Sequence, residues 1–146
     1  MLEAKYLNQE ERSELKQLLS ANQLCFNDMN DQGVQLFGVQ FKDKNIGYFG
    51  YEAFADVALF RSMVVVAEAR NKGYGSLIWQ LAKLKLTAAG INDVYLLTNT
   101  AAPFFSKQGF KQVARTSAPK SILATNEFKE FCPADSVCMK INLSQL

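Results

Sequence analysis

Ser62–Gly75 reads SMVVVAEARNKGYG, an apolar, β-branched run that breaks into R-x-x-G-x-G just before a long amphipathic stretch. The pattern predicts a strand that ends in a tight turn and passes directly into a helix. Gly73 and Gly75 remove side chains where a backbone must turn sharply or be approached closely. A helix beginning near Tyr74 leaves its first N–H groups unpaired and carries partial positive charge at that end, which favours an anion. Arg70 and Lys72 add to that sign. The chemistry this arrangement suits is a pyrophosphate held by converging N–H donors. The ordinary alternative is a tight turn with solvated charges.

Working outward, Leu77, Leu81, Leu84 and Ala88 recur at helical spacing, and Gly90 stands where that helix should stop. A strand is expected over Val94–Asn99, then a shorter helix to Lys107 with Gly109 as its stop. Upstream, Val34–Phe41, Ile46–Phe54 and Ala58–Val66 read as an antiparallel meander, the first two strands joined by Lys42-Asp43-Lys44-Asn45. Asn8 and Glu11 form a capping-box start for a first helix with Leu15, Leu18 and Leu19 on its apolar face. Lys111–Arg115, a helical piece near Ser121–Phe131, and Val137–Leu143 complete the order. The class is α/β, a mixed sheet with helices on both faces. No repeat, low-complexity tract or linker divides the chain, so residues 1–146 read as one domain.

The turn and the later segment AAPFFSKQGF at Ala101–Phe110 together resemble the GNAT superfamily of N-acetyltransferases. Arg70, Gly73 and Gly75 match that family's Q/R-x-x-G-x-G/A signature for acetyl-coenzyme A. Ala101, Phe104, Phe105, Lys107, Gly109 and Phe110 resemble its second cofactor segment, A-x-x-F-Y-x-K-x-G-F. The two occur in family order and the likeness runs from about Val34 to the C-terminus. The resemblance implies a sheet whose two central strands splay, with the pantetheine arm of acetyl-CoA in the gap. It implies main-chain contacts from Met63, Val64 and Val65, a pyrophosphate surrounded by Arg70, Asn71, Lys72, Gly73, Tyr74, Gly75 and Ser76, and an approach to arm and adenosine by Asn99, Phe104, Phe105 and Lys107. Asn99 reads equally well as a helix cap.

The implied reaction is attack of a neutral amine on the acetyl thioester. The amine's proton must be taken, and the departing thiolate stabilised or reprotonated. Here the chain departs from the family pattern: Phe105 replaces the tyrosine that commonly supplies that proton. Ala67 and Asn71 stand at a frequent proline and a frequent glycine. Candidate acid–base groups are Glu52 and Glu68, each of which could equally be a solvated surface carboxylate. Arg61 interrupts an apolar strand, where a buried guanidinium needs a carboxylate, either Glu52 or one brought by substrate. Arg115 is a second group that could read a substrate carboxylate, or else a solvated surface charge.

Composition limits the alternatives. A formal net charge of +2 with dispersed charges argues against nucleic acid as a partner. No run is long enough to span a membrane, and the polar N-terminus does not read as a signal peptide. Three cysteines in no dense pattern favour reduced thiols and a cytoplasmic setting. With no histidine, a serine–histidine triad and most transition-metal sites are excluded, and no metal is expected.

The tail carries a narrower resemblance. Arg115, Ala118, Pro119, Ile122, Thr125, Glu127 and Phe128, continuing into CPADSVCM at Cys132–Met139, look like the small arsenic-resistance-type N-acetyltransferases. This implies a small-molecule amine as acceptor, amino-acid-like or toxic. Nothing resembles a peptide-docking groove, and a homodimer is left open. The competing class is a non-catalytic module that senses acetyl-CoA or a thiophile, with Cys132 and Cys138, and Cys25 beside them, as soft ligands. The bland reading of those thiols is core packing.

Overall fold

The structure, a computed structural model, describes residues 2–21, 33–70, 72–125, 127–131 and 136–145. Its strands are β1 (Leu2–Tyr6), β2 (Val34–Phe41), β3 (Lys44–Phe54), β4 (Val57–Val65), β5 (Asp93–Thr98), β6 (Lys111–Val113) and β7 (Val137–Asn142). The helices are α1 (Gln9–Ala21), α2 (Tyr74–Ala88), α3 (Ala102–Lys107) and the single turn α4 (Lys120–Leu123). The strands form one mixed sheet in the order β1-β2-β3-β4-β5-β7-β6. Helices cover both faces, as expected.

The meander lies where the pattern put it, and β2 and β3 meet through only two residues. Lys42 and Asp43 have φ of 53° and 64°, the left-handed pair that a two-residue hairpin requires and that normally selects Asn-Gly. Asn8 and Glu11 cap α1 reciprocally, Glu11 N–H donating to Asn8 Oδ1 at 2.8 Å and Asn8 N–H to Glu11 Oε1 at 3.0 Å. Gly90 and Gly109, at φ of 82° and 105°, stop α2 and α3. Strand β1 was not foreseen. It pairs with β2 from Leu2↔Phe41 to Tyr6↔Phe37, a long-range pairing for which five residues carry too little periodicity. The expected strand Lys111–Arg115 ends at Val113, because Arg115 turns into a 3-10 segment, Arg115–Ser117. The helical piece expected near Ser121–Phe131 is α4 followed by a separate π-helical turn at Glu127–Phe131.

Period-2 alternation divides the core. One face holds Phe37, Phe49, Tyr51, Phe60, Ile78, Trp79, Leu86, Phe105 and Phe110 under α2 and α3. The other holds Leu36, Tyr48 and Val64 under α1, with Leu59, Tyr95, Ile122, Phe128 and Cys138 beside them under the C-terminal segment. The face that α2 buries differs from the expected one. Ile78, Trp79, Ala82 and Leu86 point inward, while Leu84 is exposed and Leu77 and Leu81 lie half-buried at the margin. Both stripes obey the helical period, and the fully buried Trp79, against Phe60 at 5.2 Å and Phe110 at 5.0 Å, sets the rotation of the helix.

Candidate active site

Strands β4 and β5 are parallel and pair at only three positions, Val57↔Asp93, Ala58↔Val94 and Leu59↔Tyr95. Beyond Leu59 and Tyr95 the pairing ceases, although β4 continues to Val65 and β5 to Thr98. The sheet therefore opens into a gap between two strands that are neighbours at their starts. Later in the same strand, β4 is irregular against β3. The register passes from Tyr48↔Val64 to Gly50↔Arg61, so Ser62 and Met63 together oppose Phe49, and Ser62 sits at φ 60°. That is a β-bulge, the usual device for re-aiming one strand.

The bulge decides which main-chain groups face the gap. Val66 N–H donates to Ile46 C=O at 3.0 Å, so alternation turns the N–H and C=O of Val65 the other way, toward the gap. The carbonyl of Val65 accepts a 3.2 Å hydrogen bond from Arg70 Nε. Val64 lies directly opposite Tyr48 and its side chain is buried under α1, so of the expected run Met63–Val65 its backbone is turned toward β3. The half-buried Met63 packs in the α2-side core.

At the turn, Gly73 is left-handed at φ 76° and precedes α2 without a side-chain cap. A Cβ built there would meet nothing within 4 Å. A helix's first N–H groups have no intrahelical partner, and among the described residues α2 starts with no capping side chain, which fits an anionic group. Gly75 also has a packing role. A Cβ on it would lie 3.2 Å from Phe104 Cε1, so this glycine admits the ring of α3 against α2. Ser76 Oγ accepts from Gln108 Nε2 at 3.1 Å, a second tie between the two helices. Lys72 and Lys107 are exposed and Tyr74 half-buried; Asn71 lies outside the described residues.

Asn99 does not cap α3. Thr98 Oγ1 accepts the Ala101 N–H at 3.0 Å, and Asn99 Oδ1 accepts from Ser136 Oγ at 2.9 Å, joining the end of β5 to the start of β7. Phe105 is buried among Phe60, Phe104 and Phe110, its ring 6.3, 5.1 and 5.4 Å from theirs. Of the tyrosines on β3, burial and then the charge of Glu14 raise Tyr48, and burial and then Tyr6 raise Tyr51. Tyr48 packs under α1 and Tyr51 stacks on Phe37.

The two candidate carboxylates are far apart. Glu52 pairs in register with Leu59, where the gap begins, and its Oε1 accepts from Arg61 Nη1 at 3.1 Å. The Arg61 side chain has no exposure and that of Glu52 14%; Arg61 Nε also donates to Ser62 Oγ at 3.3 Å. Glu68 is exposed in the turn Ala67–Ala69, beyond the far end of β4. Leu59 and Val65 are six residues apart along β4, up to about 20 Å at the rise of an extended chain, so one substrate atom cannot use both. Arg115 is not a solvated surface charge. Its Nη2 donates to Phe128 C=O at 2.6 Å and its guanidinium lies 5.5 Å from the Phe128 ring centre, holding the tail on the sheet. Cys138 is buried, and burial pushes its thiol up to about 11 against a smaller opposing effect of Arg115. Cys25 and Cys132 lie outside the described residues.

A model of the acetyltransferase (GNAT) domain matches residues 32–112, the span from the meander through the turn to β6. The chain belongs to the GNAT acetyltransferase family. An uncharacterized N-acetyltransferase of Chlorobaculum tepidum is 34% identical over 109 residues, which are 72% of this chain and 66% of that protein. Among solved structures, N-acetylglutamate synthase from Neisseria gonorrhoeae, complexed with coenzyme A and N-acetyl-glutamate, is similar over 98% of this chain at a TM-score of 0.79 and 14% identity. The chain spans 35% of that larger protein. A GNAT acetyltransferase from Staphylococcus aureus is similar over 98% of this chain and 99% of its own at a TM-score of 0.74 and 17% identity. GNAT acetyltransferases use acetyl-CoA, and the splayed strands followed by an open helix N-terminus supply a fitting cradle. No helix among the described residues is long and apolar enough to cross a membrane.

Proposed function

We propose that residues 1–146 form one cytoplasmic N-acetyltransferase domain of the arsenic-resistance type that moves the acetyl group of acetyl-CoA to a primary amine of a small molecule, amino-acid-like or toxic. The observation that carries this reading is the end of β4–β5 pairing at Leu59 and Tyr95, on the strand that leads into the Arg70–Gly75 turn.

In this reading the amine nitrogen attacks the thioester carbonyl, a C–N bond forms, the C–S bond breaks and the thiolate departs with the amine proton passed to a base or water. Glu52 is the better placed carboxylate, because it stands where the gap opens and Arg61 fixes its orientation. Arg61 is then a positioning residue, not a direct reader of substrate. Main-chain N–H groups facing the gap stabilise the developing oxyanion. Phe105 offers no proton, so water reprotonates the thiolate, an acceptable leaving group unaided. The N-acetyl-glutamate held by the gonococcal synthase supports an amino-acid-like acceptor as compatible with the fold.

The missing phenol at Phe105 favours one second reading, a domain that binds acetyl-CoA without transferring its acetyl group. Incubation with acetyl-CoA and a broad amine panel, read by mass spectrometry, separates them. Acetylated product dependent on the protein supports the enzyme, whereas coenzyme binding with no product from any amine supports the second reading.

A further inference from the structure

Beside the Arg70–Gly75 turn, on the side of the β2–β3 hairpin, lies a cavity of about 210 Å³. Its walls include Phe41, Ile46, Val66 and Tyr74, and three lysines, Lys42, Lys44 and Lys72, stand around it against the single carboxylate of Glu68. Asp43, between the two hairpin lysines, is not among the lining residues. Phe41 and Tyr74 meet edge to face at 5.7 Å, closing the apolar side, and Lys42 Nζ lies 5.3 Å from the Phe41 ring centre.

Size and charge together define the ligand. Sites that enclose a whole organic ligand occupy roughly 300–1,000 Å³, so this cavity takes one end of a larger molecule or one small anion. An excess of lysine over carboxylate at its edge selects negative charge, and ammonium groups act as point charges suited to a phosphoryl group. Apolar walls accept the sugar or ring that carries it. We propose that this recess is a phosphate-binding subsite, adjoining the helix N-terminus of α2, in which Lys42 and Lys44 receive a phosphomonoester. Its source is either the ribose 3′-phosphate of coenzyme A, which rests on the function proposed above, or a separate phosphorylated small molecule that binds beside the coenzyme.

Calorimetry with coenzyme A, 3′-dephospho-coenzyme A and inorganic phosphate, on the wild-type protein and on Lys42→Ala/Lys44→Ala, distinguishes these. If the coenzyme supplies the phosphate, the dephospho form binds the wild type about tenfold more weakly, the difference vanishes in the double variant, and coenzyme A displaces phosphate. If a separate ligand does, phosphate binds to protein saturated with coenzyme A, and that binding is lost in the double variant. Equal affinity for both coenzyme forms with no lysine-dependent phosphate binding would overturn the proposal. So would a coenzyme preference that the double variant retains, since another part of the protein would then read the phosphate. Should coenzyme A not bind the wild type at all, the proposed function fails, and lysine-dependent binding of phosphate alone still decides for or against the recess. Circular dichroism confirms that the double variant is folded.

Discussion

The ring of Phe104 occupies the space that a side chain at position 75 would need: a Cβ on Gly75 would stand 3.2 Å from its Cε1 and 3.4 Å from its Cζ. A side chain at position 75 therefore obliges the Phe104 ring, through which α3 packs on α2, to give by a few tenths of an ångström. Gly75→Ala should gain up to about 1 kcal/mol of helix propensity and lose at least as much to the displaced ring. In a Phe104→Ala background the same change should be stabilising. Thermal denaturation of the four proteins measures the coupling; an identical effect of Gly75→Ala in both backgrounds would show that the ring yields freely.

At Gly73 the constraint is conformational. Nothing surrounds its absent Cβ, but φ is 76°, so Gly73→Val should cost about 1–3 kcal/mol of stability through the backbone alone. Its methyls would then stand where an anion must approach, and affinity for acetyl-CoA should fall by tenfold or more. Unchanged affinity in a folded Gly73→Val protein, measured by calorimetry, would move the cofactor site elsewhere.

Phe105→Tyr introduces a hydroxyl into a ring cluster with Phe60, Phe104 and Phe110. If the new group finds no acceptor, stability should drop by about 1–3 kcal/mol. The rate of acetyl transfer should stay within roughly tenfold, equivalent to about 1.4 kcal/mol of barrier. A much larger gain would show that the natural protein lacks a proton donor it needs.

Arg61 and Glu52 should be coupled energetically. Glu52→Ala removes a carboxylate from a guanidinium with no exposure and should cost about 3 kcal/mol, whereas Arg61→Met with Glu52→Leu should cost less than the sum of its parts. Denaturant titration of the cycle tests this. Additivity would mean that the pair contributes nothing as a pair.

Cys138 predicts a pH dependence. Its thiol is raised from 9.0 to about 11 in the folded protein, so the neutral form is the one the core accepts. The contribution is complete below about pH 9, the unfolded value, and is lost as pH rises toward 11, an effect on the order of 2–3 kcal/mol. Cys138→Ala should remove that step from an alkaline unfolding curve. Cys138 is buried and packs in the core, so arsenite binding by equilibrium dialysis should not depend on it. Tight, cysteine-dependent binding without acetyl transfer to any amine would favour the sensor.

Local chemistry was legible in the sequence. The turn from β4 into α2, the capping box of Asn8 and Glu11, and the stops at Gly90 and Gly109 each depend on a few adjacent residues, and each stands where their preferences put it. What was not legible depends on distant partners. Strand β1 exists because Phe37 and Phe41 offer it an edge. The rotation of α2 follows from where Trp79 finds Phe60 and Phe110. Arg115 is fixed by a carbonyl thirteen residues away. The left-handed turn at Gly73 was readable from its motif, whereas the tie of Gly75 to Phe104 needed the packed helices. The recess at Lys42 and Lys44 needed the hairpin brought beside the turn.

The extra residue in β4 has a consequence for how this chain can change. Before it, Leu59 and Arg61 share a face with α1 and the tail; after it, that face is taken by Val64, not Met63. The strand thus keeps time in two phases, with Ser62 as the skipped beat. Losing that one residue would turn Met63, Val64 and Val65 inside out, sending each to the opposite core, while the turn that follows would arrive rotated by half a step. A one-residue insertion or deletion in the middle of this strand would therefore exchange its two buried faces, whereas one in a loop would not.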